Sequence, residues 1–465
     1  MLNSLSLSLF LLAFFASITF NGFFRNIAKN YKILIDLPDK SRHFHDRPTP
    51  LTGGLGIFFG ILVSGLLLTE LTSAQYALNF DGNLPKNNYA NEEPVSKNIA
   101  VDGEEYNLYL KEDINNKSIS VQIDTIDRDK NNYTPSLDIL PISSNKFKVT
   151  LQNGEEKFYI SLEDKILEVS AADNSIINTF TPYDKELEKI NLNKFSVSLY
   201  FFVFLILVFM MFDDYFGIKP LYRLIFQGLI VFAMIAITGV SIDTLGNLFG
   251  FGEIKLGIFS VPFTMFCVVG LMNAFNMIDG LNGICATCAL VPIIFFTYIG
   301  NFSYGLIIPI AAILGFLTYN LGYLGKKRRV FLGDSGSNML GFSVAFICIE
   351  YSQNIENISS INPVTALWLV AIPLIDCISV LLTRIRNGVM PFKPGRDHFH
   401  HKLLKLNINS EMIFLIFIML SCGLAFIGYI FESFFPNHEY VSFYVFFIVL
   451  IFYFFSSKGV IKKNV

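Results

Sequence analysis

Charge is what this chain has least of. Only 16% of its 465 residues are Asp, Glu, Lys or Arg, against about 25% in a soluble domain, while 52% are hydrophobic. That shortfall, with a mean hydropathy of +0.50, excludes an ordinary water-soluble globule and points to a membrane protein. Tryptophan is scarcer still: one Trp stands against 49 Phe and 20 Tyr, leaving Phe to face lipid and Tyr to serve the interface. The six cysteines (Cys267, Cys285, Cys288, Cys348, Cys377 and Cys422) all lie in or beside apolar runs. None falls in the polar stretch 75–195, so no disulfide framework is expected there. Cys285-Ala-Thr-Cys288 has the spacing of a redox pair but no soluble βαβ setting, and reads as helix packing. No small-residue cleavage pattern follows the first apolar run, which is therefore expected to be a retained helix and not a removed signal peptide. No internal repeat is visible either, which argues against a secondary transporter.

What is present is a series of apolar runs, at about 4–24, 53–74, 196–212, 221–240, 258–275, 283–300, 304–324, 336–351, 363–383, 412–431 and 441–456. Each is near the roughly 20 residues that span a bilayer. The expected fold is an all-α polytopic membrane protein of about eleven transmembrane helices with one inserted domain. The short segments 25–52, 213–223, 325–334, 384–411 and 457–465 hold 21 of the 35 Lys and Arg residues. Basic short loops stay in the cytoplasm, whereas long domains cross largely regardless of charge. The N-terminus is thus expected outside and the C-terminus in the cytoplasm.

The segment 75–195 carries 21 of the 38 acidic residues. Phe147, Val149 and Leu151 alternate with polar residues, Asn153-Gly154 follows, and Phe158, Ile160 and Leu162 alternate again, a hairpin pattern with the dipeptide that a type I′ turn prefers. Tyr106, Leu108, Leu110, Val121 and Ile123 add further alternation. The chain therefore divides into an N-terminal membrane part (1–74), a small extracytoplasmic β-rich insertion (75–195) and a membrane catalytic part (196–465). The insertion shows no catalytic constellation and reads as an accessory or partner-contact domain.

The polar groups at the ends of the runs fall on one side. Asp213-Asp214 closes the third run, and two adjacent acids repel unless a cation or proton compensates. Asn273, Asn276 and Asp279 recur every three residues and share a face if the helix continues that far, with Gly280 and Gly283 beside them. These suit a phosphorylated or nucleotide ligand, or an amide-rich helix end that satisfies its own backbone. Lys326-Lys-Arg-Arg329 reads as a cytoplasmic anchor. Gly333-Asp334-Ser335-Gly336-Ser337 opens a helix, where free N–H groups favour an anion, and Asp334 could hold a hard cation through oxygen. Arg396, His398, His400 and His401 share one short loop. Imidazole and guanidinium suit a phosphate or sugar phosphate; structural zinc is the rival, without a cytoplasmic Cys pair to support it. The loop Asp36–Gly54, with Lys40, Arg42, His43 and His45, is basic and turn-rich, fitting a phosphate or lipid headgroup or simply a positive anchor.

Taken in order, these motifs resemble the polyprenyl-phosphate N-acetylhexosamine-1-phosphate transferases, most closely the WecA-type branch that starts lipid-linked O-antigen and related glycans. The resemblance covers Asp36–Gly54, Asp213-Asp214, Asn273–Gly283, Asn320–Gly325, Gly333–Gly341, Pro363–Trp368 and Met390–Leu403. Gly217 and Asn282 stand where the family commonly has further acids. The resemblance implies Mg²⁺- or Mn²⁺-dependent transfer of GlcNAc-1-phosphate, or a related HexNAc-1-phosphate, from a UDP-sugar to undecaprenyl phosphate, with release of UMP. It implies catalytic roles for Asp213, Asp214, Asp279, His400 and His401, and metal ligation by Asp334, Asp214 and Asp279. Substrate contacts would come from Asn273, Asn276, Lys40, Arg42, His45, Gly333, Ser335, Arg396 and His398. It places the chain in the bacterial inner membrane with its active site cytoplasmic, with no nucleic-acid partner, and leaves room for a homodimer and for contact of the insertion with another envelope protein. The phospho-MurNAc-pentapeptide transferases are a neighbouring branch, which the Pro363-Val-Thr-Ala-Leu-Trp368 run and the His-x-His-His spacing disfavour. An inactive scaffold is disfavoured by retention of the principal acids.

Overall fold

In the computed structural model, the described residues are 4–38, 47–72, 194–299, 304–353, 361–390, 395, 397–436 and 438–462, with nine strands between residues 77 and 180. They form two compact units, Met1–Leu66 with Leu192–Val465, and Leu67–Asn191.

The first unit is helical: α1 (Ser4–Tyr31), α2 (Gly53–Thr72), α3 (Lys194–Phe216), α4 (Pro220–Thr238), α5 (Ser260–Ile278), α6 (Ile284–Ile299), α7 (Tyr304–Asn320), α8 (Gly333–Gln353), α9 (Pro363–Leu369), α10 (Ala371–Arg386), α11 (Phe399–Lys405), α12 (Ser410–Phe434) and α13 (Glu439–Lys462). Every apolar run lies on a helix, or on two in the case of 363–383. Among the described residues, five helices are long and apolar enough to cross a membrane, or six if the bent pair α9–α10 is one span, and four more are apolar over 10–17 residues. Their outer faces carry Phe15, Phe201, Leu229, Phe266 and Ile448, all well exposed. In water such a belt would be an aggregation surface; it suits lipid.

Local chemistry sets the helix ends. Pro220 opens α4, where its missing N–H costs nothing, and Gly239 closes it in the left-handed region. Asn409 caps α12 by accepting from Met412 N at 2.7 Å. The run 363–383, read from sequence as a single helix, is broken at Val370 with a bend of 82°. Pro373 explains the break: it has no N–H, and its ring clashes with the carbonyl of Leu369 four residues earlier.

A continuous apolar core joins α3, α5 and α8 through Met210, Val268, Phe275, Phe342 and Phe346. Helices α5 and α8 approach closely at Gly341, where a Cβ would lie 2.8 Å from Met272 Cα. A methyl group there would push the two helices apart and displace the start of α8.

The first unit also holds a short antiparallel pair, β1 (Ile35–Asp36) and β2 (Thr49–Pro50). The second unit contains a four-stranded sheet, β3-β6-β5-β4 (Ala77–Phe80, Ser118–Thr125, Glu104–Asp113, Val95–Val101), and a five-stranded sheet, β11-β10-β9-β8-β7 (Ile176–Phe180, Ile166–Ala171, Glu156–Glu163, Lys146–Leu151, Leu137–Ser143). Strands β8 and β9 pair antiparallel with Phe147 opposite Ile160 and Val149 opposite Phe158. Val149, Phe158, Ile160 and Val169 are buried, which fixes the register because a one-residue slip would turn them all outward. Asn153-Gly154 lies outside the described residues.

Candidate active site

The last turn of α3, the end of α5 and the start of α8 converge. Adjacent helical residues diverge by about 100°, so Asp213 and Asp214 point to different partners. Asp213 is buried; its Oδ1 accepts from Ile218 N at 2.7 Å and its Oδ2 from Arg223 Nη1 at 2.8 Å. The same Arg223 nitrogen reaches Asp334 Oδ2 at 2.8 Å, so one guanidinium bridges two carboxylates.

Asp214 faces the start of α8. Its Oδ1 accepts from Asp334 N at 2.9 Å and its Oδ2 from Ser335 N at 3.1 Å. A helix leaves these first N–H groups unpaired and carries partial positive charge there, so a carboxylate from another helix satisfies both. Gly333 permits this. Its φ is +75°, and a Cβ on it would lie 2.8 Å from Asp214 Oδ2. Asn276 then donates to Asp334 Oδ1 at 2.9 Å and to Ser337 Oγ at 3.1 Å. One turn earlier, Asn273 donates to Gln227 Oε1 at 3.0 Å, and Gln227 donates to Asn338 Oδ1 at 2.7 Å. Asn273 is thus engaged in an interhelical amide relay.

Helix α5 stops at Ile278, so Asp279 is the first residue beyond it and does not continue the Asn273–Asn276 face. No donor among the described residues reaches its carboxylate. Burial pushes the Asp279 carboxyl well above its usual range, and the charges of Asp334 and Asp214 push it further.

Asp279 also links the acids to the histidines. The ring of His400 lies against Gly280, so tightly that a Cβ at Gly280 would collide with Nε2. His400 is fully buried, and neither ring nitrogen has a hydrogen-bond partner among the described residues. Burial, then the neighbouring His401, depresses its pKa to about 3, keeping the ring neutral. His401 lies beside it, with ring centroids 4.1 Å apart. His398 stacks nearly parallel to His400 at 5.9 Å, and its Nδ1 lies 2.8 Å from Asp376 Oδ2. Arg384 Nε donates to Asp397 Oδ2 at 3.0 Å beside this loop.

The neutral buried imidazole has a measurable consequence. Below about pH 6.5 the unfolded chain takes up a proton at His400 that the folded chain refuses. Stability is therefore lost as pH falls from 6.5 toward 3, at about 1.4 kcal/mol per pH unit. Thermal unfolding in detergent from pH 8 to pH 5 should show a smaller acid loss for His400→Gln than for wild type; parallel curves would contradict the assignment.

Asp213, Asp214, Asn276, Gly333, Asp334 and Ser335 thus come together in direct contact, with Asp279 and His400 beside them. Asn273 supports this group from behind, and His398 and His401 from the far side. Lys40, Arg42, His45 and Arg396 lie outside the described residues. The ends of the amino-terminal loop do reach the site. Phe331 N donates to Pro50 O at 2.8 Å and Gly53 N to Phe331 O at 2.9 Å, pinning the loop to the segment that enters α8.

Arg223, Gln227, Asn338 and Asp376 were passed over in the sequence. Arg223 and Gln227 are strong polar groups one turn apart on an otherwise apolar helix, and Asp376 is a lone charge well inside a run; both are the usual mark of an interior partner.

Residues 196–352 match glycosyl transferase family 4. The chain is 36% identical over 253 residues to the undecaprenyl-phosphate alpha-N-acetylglucosaminyl 1-phosphate transferase of Yersinia pestis, covering 53% of this chain and 68% of that protein. The protein of the same name from Haemophilus influenzae is 35% identical over 271 residues, covering 56% and 74%. The chain belongs to glycosyl transferase family 4. The resemblance read from its motifs is borne out, and with it a sugar-phosphate transferase. The family match contains every acid of the cluster and Arg223, whereas the histidine loop and Asp376 lie beyond it.

Proposed function

We propose that this family 4 transferase moves GlcNAc-1-phosphate from UDP-GlcNAc to undecaprenyl phosphate. An oxygen of the acceptor phosphate forms a bond to the sugar-linked phosphorus as the diphosphate bond breaks, giving UMP and an undecaprenyl diphosphate sugar. The relatives' names support this reading and do not favour the phospho-MurNAc-pentapeptide alternative. The observation that carries it is the placing of Asp279: no donor among the described residues reaches it, the charges of Asp334 and Asp214 act on it, and Gly280 next to it lies against the buried His400 ring. Such a group has no partner among the described residues and suits a cation brought with a phosphorylated substrate.

The donor set fits Mg²⁺ or Mn²⁺. Among the described residues no three His, Cys, Asp or Glu form a ready cage, but Mg²⁺ is usually held by one or two carboxylates plus substrate phosphates. Asp279 and Asp334 would hold the ion, with Asp214 fixing Asp334 through the start of α8. When bound, the ion neutralises charge on the diphosphate. Asp213 and Arg223 hold Asp334 in place, Asp214 occupies the first amides of α8, and His400 and His401 face the sugar nucleotide. Lys40, Arg42, His45 and Arg396 supply positive charge to the two anionic substrates.

Membranes given labelled UDP-GlcNAc and undecaprenyl phosphate should yield a labelled lipid and UMP. EDTA should stop the reaction and added Mg²⁺ or Mn²⁺ restore it; turnover in metal-free buffer would refute the ion's role. In this reading all eleven runs cross the bacterial inner membrane, with the N-terminus outside and the site cytoplasmic, at the start of lipopolysaccharide O-antigen or related envelope glycan synthesis. The β-rich insertion is then extracytoplasmic, away from the UDP-sugar, and serves contact with another envelope protein. Its removal, by joining Ala74 to Lys194 through a short polar linker, should leave transfer within about twofold of wild type. Lost turnover in a well-inserted deletion variant, or cytoplasmic labelling of a cysteine placed near Gly154, would overturn that placement.

A further inference from the structure

Asp376 has no part in the chemistry assigned so far, yet it is a carboxylate only 2% exposed, in the broken pair α9–α10. A lone buried carboxylate there is costly unless it is fully paired. It is paired three times. Oδ2 meets His398 Nδ1 at 2.8 Å, while Oδ1 accepts from Phe399 N at 3.0 Å and from the Tyr453 hydroxyl at 2.6 Å. The first two partners are the N-cap of α11 and its first residue, so one carboxylate caps the helix that carries His400 and His401 and orients the histidine before it. The third partner comes from α13, and the Tyr453 ring also packs on Phe399 with centroids 5.5 Å apart.

The geometry selects a tautomer. A carboxylate at Nδ1 requires the proton there, which leaves Nε2 of a neutral His398 as an acceptor; a second-sphere carboxylate commonly fixes imidazoles this way. His398 in turn stacks on His400, whose ring rests on Gly280 beside Asp279. We infer that Asp376, fixed by Tyr453, is a positioning residue: it sets the His398 tautomer and holds the start of α11 so that the histidines meet the Asp279 side of the site. This rests on the transferase reading given above. Asp376, His400 and His401 lie against the His398 ring, and Arg384 pairs with Asp397, the residue before it.

An amide at position 376 must turn an NH₂ toward one of the donors, so Asp376→Asn should break the arrangement without changing volume. Two measurements test this on the full chain in detergent micelles. In the transfer assay, Asp376→Asn should lower kcat at least tenfold while leaving KM for undecaprenyl phosphate unchanged. Tyr453→Phe should give a smaller fall of the same kind. In a His398→Ala background, Asp376→Asn should cost little more, because residues acting through one another are not additive. Independently of activity, ¹⁵N spectra of histidine-labelled protein should show one imidazole protonated at Nδ1 in wild type, absent from His398→Ala and altered in Asp376→Asn. Unchanged kcat and spectra in Asp376→Asn, or fully additive losses in the double variant, would overturn the inference. A wild-type protein inactive on these two substrates would sink the transferase reading alone, and the spectra would still decide the role of Asp376. If Asp376→Asn fails to fold, Tyr453→Phe carries both measurements; a wild-type kcat and spectrum in that variant would refute the tie to α13.

Discussion

Asp279→Asn is expected to abolish transfer and, in metal-free buffer, to make the protein harder to unfold. Both effects have one cause. The Asp279 carboxylate has no donor among the described residues and faces Asp334 and Asp214. Like charges that close are tolerated only when a cation or proton offsets them. Asn is nearly the same size, so it relieves the repulsion without opening a cavity, but it also removes the ligand. Transfer should fall by on the order of a thousandfold, the scale on which enzymes respond to losing a single preorganised electrostatic group. Melting temperature with chelator present should rise by a few degrees. Stabilisation with loss of activity is the signature of a group kept for chemistry at the expense of folding. Retained turnover, or a lower melting temperature, would contradict the role given to Asp279.

Much of the fold could be read from composition alone because the apolar runs need no long-range information. A stretch near 20 residues with hardly any charge can satisfy its backbone in lipid only as a helix, and each run does so except 363–383, which is split between α9 and α10. The start of α8 was equally legible: Gly333, Asp334, Ser335 and Ser337 are residues that a helix N-terminus accepts. The break at Val370 was harder, since Pro373 sits inside a run whose hydropathy never drops.

The site was legible in its residue types but not in its pairings. Asp213 and Asp214 looked equivalent in sequence, yet the helix turns them apart, one to Arg223 and one to the amides of Asp334 and Ser335. Arg223 counted as a charge that sets topology because its two partners lie 10 and 111 residues away. Spacing within a motif cannot reveal such a bridge. The histidines show the same limit. His398 and His400 are two residues apart, but the first turns to a carboxylate on α10 and the second to the glycine after Asp279. What the sequence does carry is the list of polar groups that an apolar helix has to justify, and Asp376, Arg223 and Gln227 belong on it.

Arg223→Ala should be the most destabilising single change at the site. It strips the cation from Asp213, which is almost wholly buried, and from Asp334 at the same time. Removing one partner of a buried pair costs about 3–5 kcal/mol because the other charge stays behind. The Arg223 side chain is 30% exposed, and water reaching it offsets part of that, so a loss near about 3 kcal/mol is expected. Transfer should fall by on the order of a hundredfold as well, because Asp334 loses one of the two side-chain donors that aim it. Arg223→Lys separates charge from shape. A single guanidinium nitrogen makes both contacts, so an ammonium that reaches the same point should recover most of the stability. Adding Asp213→Asn to Arg223→Ala should also recover stability, since it removes the carboxylate left unpaired, but it should not recover transfer. Denaturation of the four proteins in detergent, followed alongside turnover, reads out each step. If Arg223→Ala melts like wild type, the bridge contributes nothing, and the placing of Asp334 must come from Asn276 and the helix start alone.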